Sequence, residues 1–262
     1  MARAKVPETR RKPRVRTPAT PAARRRLDRR WWIAIGAAGL AIVAALVTIS
    51  ILTVGGDDSP ADEPAPAGAS LPGADEVQAL LSGLPQDGEF LGEPNAPVTL
   101  AVYADPQCPA CAAFASQTLP ELVERYVRPG DLRLQYRGVP FLGPDSETGL
   151  EAAYAAGLQD RLWQFSDITY LNQGEENSGW LDDDFIRAAA DSVPGLDVER
   201  LLADRDSADV EELLTAARSD AEAIGLGGTP TFQVGRTGEA LGEPTLGGEI
   251  DSLAELIDPL LE

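Results

Sequence analysis

The sequence predicts an α/β domain preceded by a single transmembrane helix. Three observations carry this: an uncharged run at 31–54, an unequal division of charge along the chain, and an apolar pattern downstream that reads strand–helix–strand, helical block, strand–strand–helix. With 262 residues the chain is long enough for one domain of about 150–200 residues plus flanking segments. Its formal net charge is −20, yet residues 1–30 hold 12 of the 22 Lys and Arg and only Glu8 and Asp28 of the 42 acids. That first stretch therefore carries +10 and the remainder −30. An acidic remainder repels nucleic acid, whose binding rests on cations that neutralise phosphates, so no nucleic-acid partner is expected. The excess negative charge reads as solubility.

Residues 31–54, WWIAIGAAGLAIVAALVTISILTV, carry no charge over 24 positions. A bilayer core of about 30 Å needs roughly 20 helical residues. Trp31 and Trp32 suit its interface, and Arg and Lys before the run, with Asp57, Asp58, Asp62 and Glu63 after it, place the N-terminus inside. A cleavable signal peptide would have an apolar stretch of about 7–15 residues and a small-residue cleavage site close behind. The longer run here, with no such site directly after it, favours an uncleaved signal-anchor over that alternative. The expectation is a single-pass cell-membrane protein with residues 1–30 as a basic cytoplasmic tail, rich in proline and disordered. Residues 55–74 form a flexible tether rich in Pro, Ala, Gly and acids, and 75–262 an extracytoplasmic domain.

Within that domain Val77, Leu80 and Leu81 mark a short amphipathic helix, and VTLAVY (98–103) reads as a buried strand. CPACAAFASQTLPELVERYV follows directly with helical character, and Pro120 inside it predicts a kink. A second strand runs over 133–139, with Leu132, Leu134 and Tyr136 alternating onto one face. Helices are expected at 147–159, 161–171, 182–191, 197–204 and 207–224, strands at 229–234 and 244–248, and a terminal helix at 249–261.

The chain has two cysteines, Cys108 and Cys111, and no histidine. The missing histidine removes Ser-His-Asp and Cys-His catalysis and most zinc and haem sites. The cysteines sit where an apolar strand passes into a helix. Cys108 is then at or near the helix N-terminus, with Pro109 in the first turn, where a missing N–H costs little. Unpaired N–H groups and about half a positive charge at that end favour thiolate over thiol. Cys111 lies one turn on, less exposed, and can attack a mixed disulfide at Cys108. Three other uses of the pair compete with this one. A structural zinc site wants four ligands, and this chain offers two. A structural staple closing four residues gains only roughly 2 kcal/mol, against about 3 for a 15-residue loop. Inert buried thiols are the third. A C-x-x-C pair between strand and helix points most strongly to redox exchange.

Gly228-Thr229-Pro230-Thr231-Phe232 opens a strand far along the chain. A proline is tolerated there because no ladder N–H is needed. A cis Thr229–Pro230 bond would turn the chain sharply and leave the Thr229 backbone groups free to pair with an extended substrate. An ordinary trans bond at a loop edge is as compatible with the sequence.

Together ADPQCPAC (104–111), the GTPTF loop, PQDGEFLGEPNAPVTL (85–100), Ser146 followed by Ala152-Ala153, and WQFSDITYLNQ (163–173) resemble the DsbA-like, thioredoxin-fold disulfide oxidoreductases from Leu84 to Leu261. The resemblance implies a thioredoxin-like fold with a helical domain inserted at 146–224. It implies that Cys108 attacks, that Cys111 resolves, and that Thr229–Pro230 is the cis-proline loop facing them. Pro109, Ala110, Thr229 and Pro230 become the expected substrate-positioning residues. The implied activity is thiol–disulfide exchange on exported proteins with cysteines, needing no bound cofactor or metal, with a membrane redox partner that resets the pair. Oxidase, isomerase and reductase directions stay open. The alternative from another class is a non-catalytic, membrane-anchored binding module of the same fold with a structural disulfide.

Members of that family often carry histidine between the cysteines; here the dipeptide is Pro109-Ala110. Thiolate stabilisation then falls to the helix end and nearby backbone. The expectation is a Cys108 pKa below the free-thiol value of about 8.5, with a less oxidising potential than a histidine-containing relative. Asp105 is open between helix cap and proton acceptor for Cys111. Asp182, Asp183 and Asp184 read as a helix start rather than a metal cluster, and Trp163, Phe165 and Tyr170 as core of the helical block.

Overall fold

The computed structural model describes residues 70–262. The expected basic tail and the apolar run at 31–54 lie outside the described residues. Among the described residues no helix is long and apolar enough to cross a membrane.

The centre is a six-stranded mixed sheet. A first helix α1 (Ala74–Leu81) is followed by the short strands β1 (Gln86–Asp87) and β2 (Phe90–Leu91), then β3 (Val98–Ala104). The helical stretch α2 comes next, built from Pro109–Ala113, a π-helical Phe114–Thr118, Leu119–Leu122 and a second π segment Val123–Val127. β4 (Leu132–Gly138) leads into α3 (Pro144–Gly157), α4 (Leu162–Leu171), α5 (Asp183–Asp191), α6 (Val198–Asp204) and α7 (Ala208–Ala223). The chain then returns through β5 (Thr231–Arg236), β6 (Thr245–Leu246) and α8 (Ile250–Leu261).

The sheet order is β1-β2-β4-β3-β5-β6. β3 lies inside it, parallel to β4 and antiparallel to β5. All seven of its residues are buried, which is why it reads as a continuous apolar run rather than an alternation. Leu100 and Val102 face the main core with Leu134, Tyr136 and Phe232. Ala101 and Tyr103 face a smaller cluster with Val139 and Ala221.

Several boundaries differ from the sequence expectation, each for a local reason. Ordered contacts begin inside the segment expected as a tether, since α1 starts at Ala74 and Leu71 N donates to Ser192 Oγ at 2.8 Å. β5 begins at Thr231 rather than at 229, because Pro230 has no N–H for the ladder. β4 starts at Leu132, which pairs with Val98, one residue before the expected edge. The β1–β2 hairpin was not anticipated from the sequence; two-residue strands leave no periodicity to read. At Pro120 the expected kink takes a definite form: the helix widens into a π turn just before it, with Leu119 N donating to Phe114 O.

The starts of α5, α6 and α7 carry side-chain caps. Asp182 accepts from Phe185 N at 2.9 Å, Asp197 from Arg200 N at 3.1 Å and Ser207 from Val210 N at 3.3 Å. Asp182 is thus a cap, and its neighbour Asp183 pairs with Arg205 at 2.7 Å.

Candidate active site

The site grows from the end of β3. Past Ala104 the chain must turn into a helix while buried, and Asp105 organises that turn. Its carboxylate accepts from Gln107 N at 2.7 Å, Leu142 N at 2.8 Å and Ser146 Oγ at 2.8 Å. Both oxygens are thereby engaged, and no side chain caps the start of α2. Asp105 is therefore a loop organiser rather than a helix cap.

Cys108 is the N-cap of α2, with extended backbone (φ −73°, ψ 118°), and Pro109 follows in the first turn. Cys108 N donates to Asp105 O at 3.1 Å, and Cys108 O accepts from Ala112 N at 3.1 Å. Pro109 and Ala110 are exposed, whereas Cys108 is 6% exposed and Cys111 1%. Both cysteines are free thiols.

The second loop arrives through the sheet. Antiparallel pairing of Tyr103 with Thr231 sets the residues before β5 beside those after β3. The Thr229–Pro230 bond is cis, and the Cys108 thiol meets Thr229 O at 3.2 Å. All six residues expected at the site, Cys108, Pro109, Ala110, Cys111, Thr229 and Pro230, come together at this junction.

The two sulfurs are pushed in opposite directions. Cys108 is held down to about 6, first by a hydrogen bond from the Cys111 thiol. Contact with Thr229 and the backbone N–H groups of Cys111 and Ala110 add to this against the cost of burial. Burial, and the Cys108 sulfur beside it, push Cys111 up. Of the two sulfurs, the one at the helix end is the more readily ionised.

A cleft of about 270 Å³ opens beside the pair, lined among others by Ala110, Phe114, Thr229, Pro230 and Leu246. Leu246 is 62% exposed. Phe114 and Phe232 pack at 5.0 Å between ring centroids under this wall. A Cβ on Gly248 would come within 3.0 Å of Phe114 and 3.1 Å of Phe232, so only glycine lets the wall close on the rings.

Four neighbours of the site, Gln107, Ser146, Gln173 and Asn177, have contacts that sequence reasoning does not reveal. Gln107 donates to Ser146 Oγ at 2.8 Å and to Asn177 Oδ1 at 3.2 Å, and accepts from Asn177 N at 2.6 Å. Gln173 donates to Pro106 O at 2.7 Å and Cys108 O at 3.1 Å. These ties brace the cysteine loop against the helical block. Ser146 and Gln173 stand within the segments that carry the resemblance, but their partners lie 39 and 67 residues away, so their roles leave no local pattern. No cluster of three or more metal-ligating residues occurs among the described residues.

A low-pKa thiol at a strand–helix junction of such a sheet, its mate buried one turn on and a cis-proline loop opposite, defines a thioredoxin-fold thiol–disulfide oxidoreductase. Residues 86–245 match the family model described as Thioredoxin. The chain belongs to that family, in its DsbA-like group. It is 31% identical over 177 residues to the probable disulfide bond formation protein D of Bacillus cereus, covering 66% of this chain and 79% of that one. Among solved structures, oxidised BdbD from Bacillus subtilis superposes with a TM-score of 0.59 at 21% identity, over 68% of this chain and 97% of the other. DsbA from Chlamydia trachomatis gives 0.56 at 23%, over 66% and 90%.

Proposed function

We propose that the chain exchanges disulfides with exported proteins through Cys108 and Cys111. The observation that carries this is the Cys108 sulfur: at the N-terminal end of α2, beside Thr229, and lowered to about 6 so that it is a thiolate at neutral pH. In the reducing direction the Cys108 thiolate attacks a substrate disulfide. One substrate sulfur leaves and takes a proton, and a mixed disulfide forms. Cys111 then loses its proton, attacks the Cys108 sulfur and releases the second substrate thiol. In the oxidising direction a substrate thiolate attacks Cys108 of the Cys108–Cys111 disulfide, and Cys111 leaves and is protonated; a second substrate thiolate then attacks the mixed disulfide, forming the substrate disulfide and releasing the Cys108 thiolate.

Each piece of the site has a part in this. The α2 N-terminus and the Cys111 thiol stabilise the attacking charge. Pro109 and Ala110 present an uncharged rim. The Thr229 backbone offers an extended segment hydrogen bonds in the manner of an added strand, and the Leu246 wall receives apolar side chains. No cofactor takes part; the electrons pass between sulfurs. A membrane redox protein resets the pair after each turnover. The apolar run at 31–54 holds the domain at the outer face of the cell membrane, in the single-pass orientation expected from flanking charges.

The test is turnover with reduced ribonuclease or insulin as substrate. The wild type should turn over, Cys108→Ser should be inactive, and Cys111→Ser should accumulate a mixed disulfide visible by mass spectrometry. A Cys108→Ser protein as active as wild type would leave a non-catalytic binding module as the function.

A further inference from the structure

Exchange at a buried cysteine needs somewhere for its proton to go. Of the two buried acids near Cys111 among the described residues, Asp105 has both oxygens engaged in its loop, which leaves Asp167. Behind Cys111 lies a cavity of about 10 Å³ lined by Cys111, Tyr136, Ser166, Asp167 and Tyr170 among others. That is room for a single water, and a water settles there only where several polar groups can hold it. Ser166 Oγ, in the cavity wall, is buried without a hydrogen-bond partner among the described residues. Buried hydroxyls are normally paired, so an orphan facing a water-sized space points to a water in it.

Asp167 is the acid in that wall and is 4% exposed. Burial alone, with no compensating charge or hydrogen bond among the described residues, pushes its carboxyl well above the usual range. An unpaired buried acid is costly to a fold. Asp167 also lines the floor of a second space, an apolar groove of about 270 Å³ between α1, α2 and α4, walled by Val77, Leu80, Pro120 and Leu171. Of the lining residues only Ala115 and Asp167 border both the closed cavity and the open groove.

We propose that Asp167 is the proton acceptor and donor for Cys111, acting through one water in the cavity behind the thiol and reloading from solvent through the groove between α1 and α2. The assignment rests on the exchange proposed above and names the proton path of its second step. When Cys111 attacks the mixed disulfide, its S–H proton passes through the water to the Asp167 carboxylate. The new bond is Cys111–Cys108, and the bond that breaks is Cys108–substrate. When a substrate thiolate attacks the Cys108–Cys111 disulfide, the carboxyl returns the proton to the departing Cys111 sulfur. The titratable groups facing Asp167 are Cys111 from α2, Tyr136 from β4, Tyr170 on its own helix and Glu76 from α1, with Asp105 after β3 acting on both tyrosines. Burial raises both tyrosines, so they stay neutral in the working range, and Glu76 sits at the open side of the groove.

The experiment follows one step. Reduced full-length protein is mixed with glutathione disulfide, quenched in acid at intervals, and the lifetime of the Cys108–glutathione mixed disulfide is read by mass spectrometry from acid to alkaline pH. Asp167→Asn should lengthen that lifetime about 100-fold near neutrality, the scale of general acid–base catalysis. The difference should vanish at high pH, where hydroxide removes the Cys111 proton. The Cys108 thiolate midpoint, read by ultraviolet absorbance, should not move. Asp167→Leu, which replaces the unpaired acid by carbon of similar size, should fold at least as stably and show the same slow step. An unchanged lifetime, a lifetime longer by one constant factor at every pH, or a shifted Cys108 midpoint would each overturn the assignment. A wild-type protein that forms no mixed disulfide would instead overturn the exchange itself.

Discussion

The front and the back of the thiol pair are one helical turn apart and chemically opposite. In front, Cys108 receives hydrogen bonds from the Cys111 thiol, the Thr229 side chain and the N–H groups of the helix end, and its pKa falls to about 6. Behind, Cys111 meets Tyr136, Tyr170 and the side chains of α4, and its pKa rises through burial. The same functional group becomes a nucleophile on one side and a held-back thiol on the other. What differs is the surroundings: a helix end open to the cleft at the front, a closed and desolvated space at the back. The front is assembled by loops from β3 and β5, the back by the helical block, so each sulfur is tuned by a different part of the chain.

The strongest way to break this contrast is to remove the organiser of the front loop. Asp105→Ala leaves Gln107 N, Leu142 N and Ser146 Oγ without their acceptor. A buried group that loses its partner costs about 1–3 kcal/mol, so the variant should lose at least about 3 kcal/mol in urea unfolding. Its Cys108 midpoint should rise toward that of a free thiol. An unchanged unfolding midpoint would show that the front does not depend on this turn.

The contrast is sharpened by pH. A folded-state pKa below the unfolded one adds stability that is present above the ordinary thiol value of about 8.5. For Cys108 this contribution fades as pH falls and is gone below about 6. Reduced wild type should therefore lose its advantage over Cys108→Ser as pH drops across that window in thermal unfolding. Cys111, shifted upward, does not itself titrate in that window, but its thiol is the first support of the Cys108 thiolate, so Cys111→Ser should show a weaker form of the same convergence.

A smaller effect is expected from the dipeptide. Ala110→His places an imidazolium beside the front sulfur, which lowers the Cys108 midpoint by about one unit. One unit corresponds to about 30 mV toward a more oxidising potential, measurable by equilibration with glutathione. A midpoint that stays where it was would mean that the helix end and Cys111 already saturate the stabilisation.

The contrast also explains what was legible in the sequence. The front could be read because its elements are contiguous: an apolar strand, then CPAC, then a helix, with Thr229-Pro230 marking the facing loop. Proline and glycine carry their backbone meaning wherever they occur. The back could not, because it is built from side chains scattered across the fold. Asp167 sits among Trp163, Phe165 and Tyr170, and in sequence nothing sets it apart from any acid on a helix. Gln107 and Gln173 are equally silent, since what matters is the partner each finds across the fold. The boundary errors follow the same division. Capped helix starts fell within a residue or so of expectation, whereas the β1–β2 hairpin is too short to announce itself.

The pairing of Tyr103 with Thr231 has a consequence for how such chains can vary. The carbonyl that meets Cys108 lies 121 residues along, yet its distance is fixed by adjacent rungs of one ladder rather than by the segment between. Extra residues in a surface connection of the intervening helices cost little in closure entropy. They can be gained or lost there without unseating the sulfur. One residue added within β5 itself would shift every rung beyond it, turn its side chains to the other face and carry Thr229 away from the thiol.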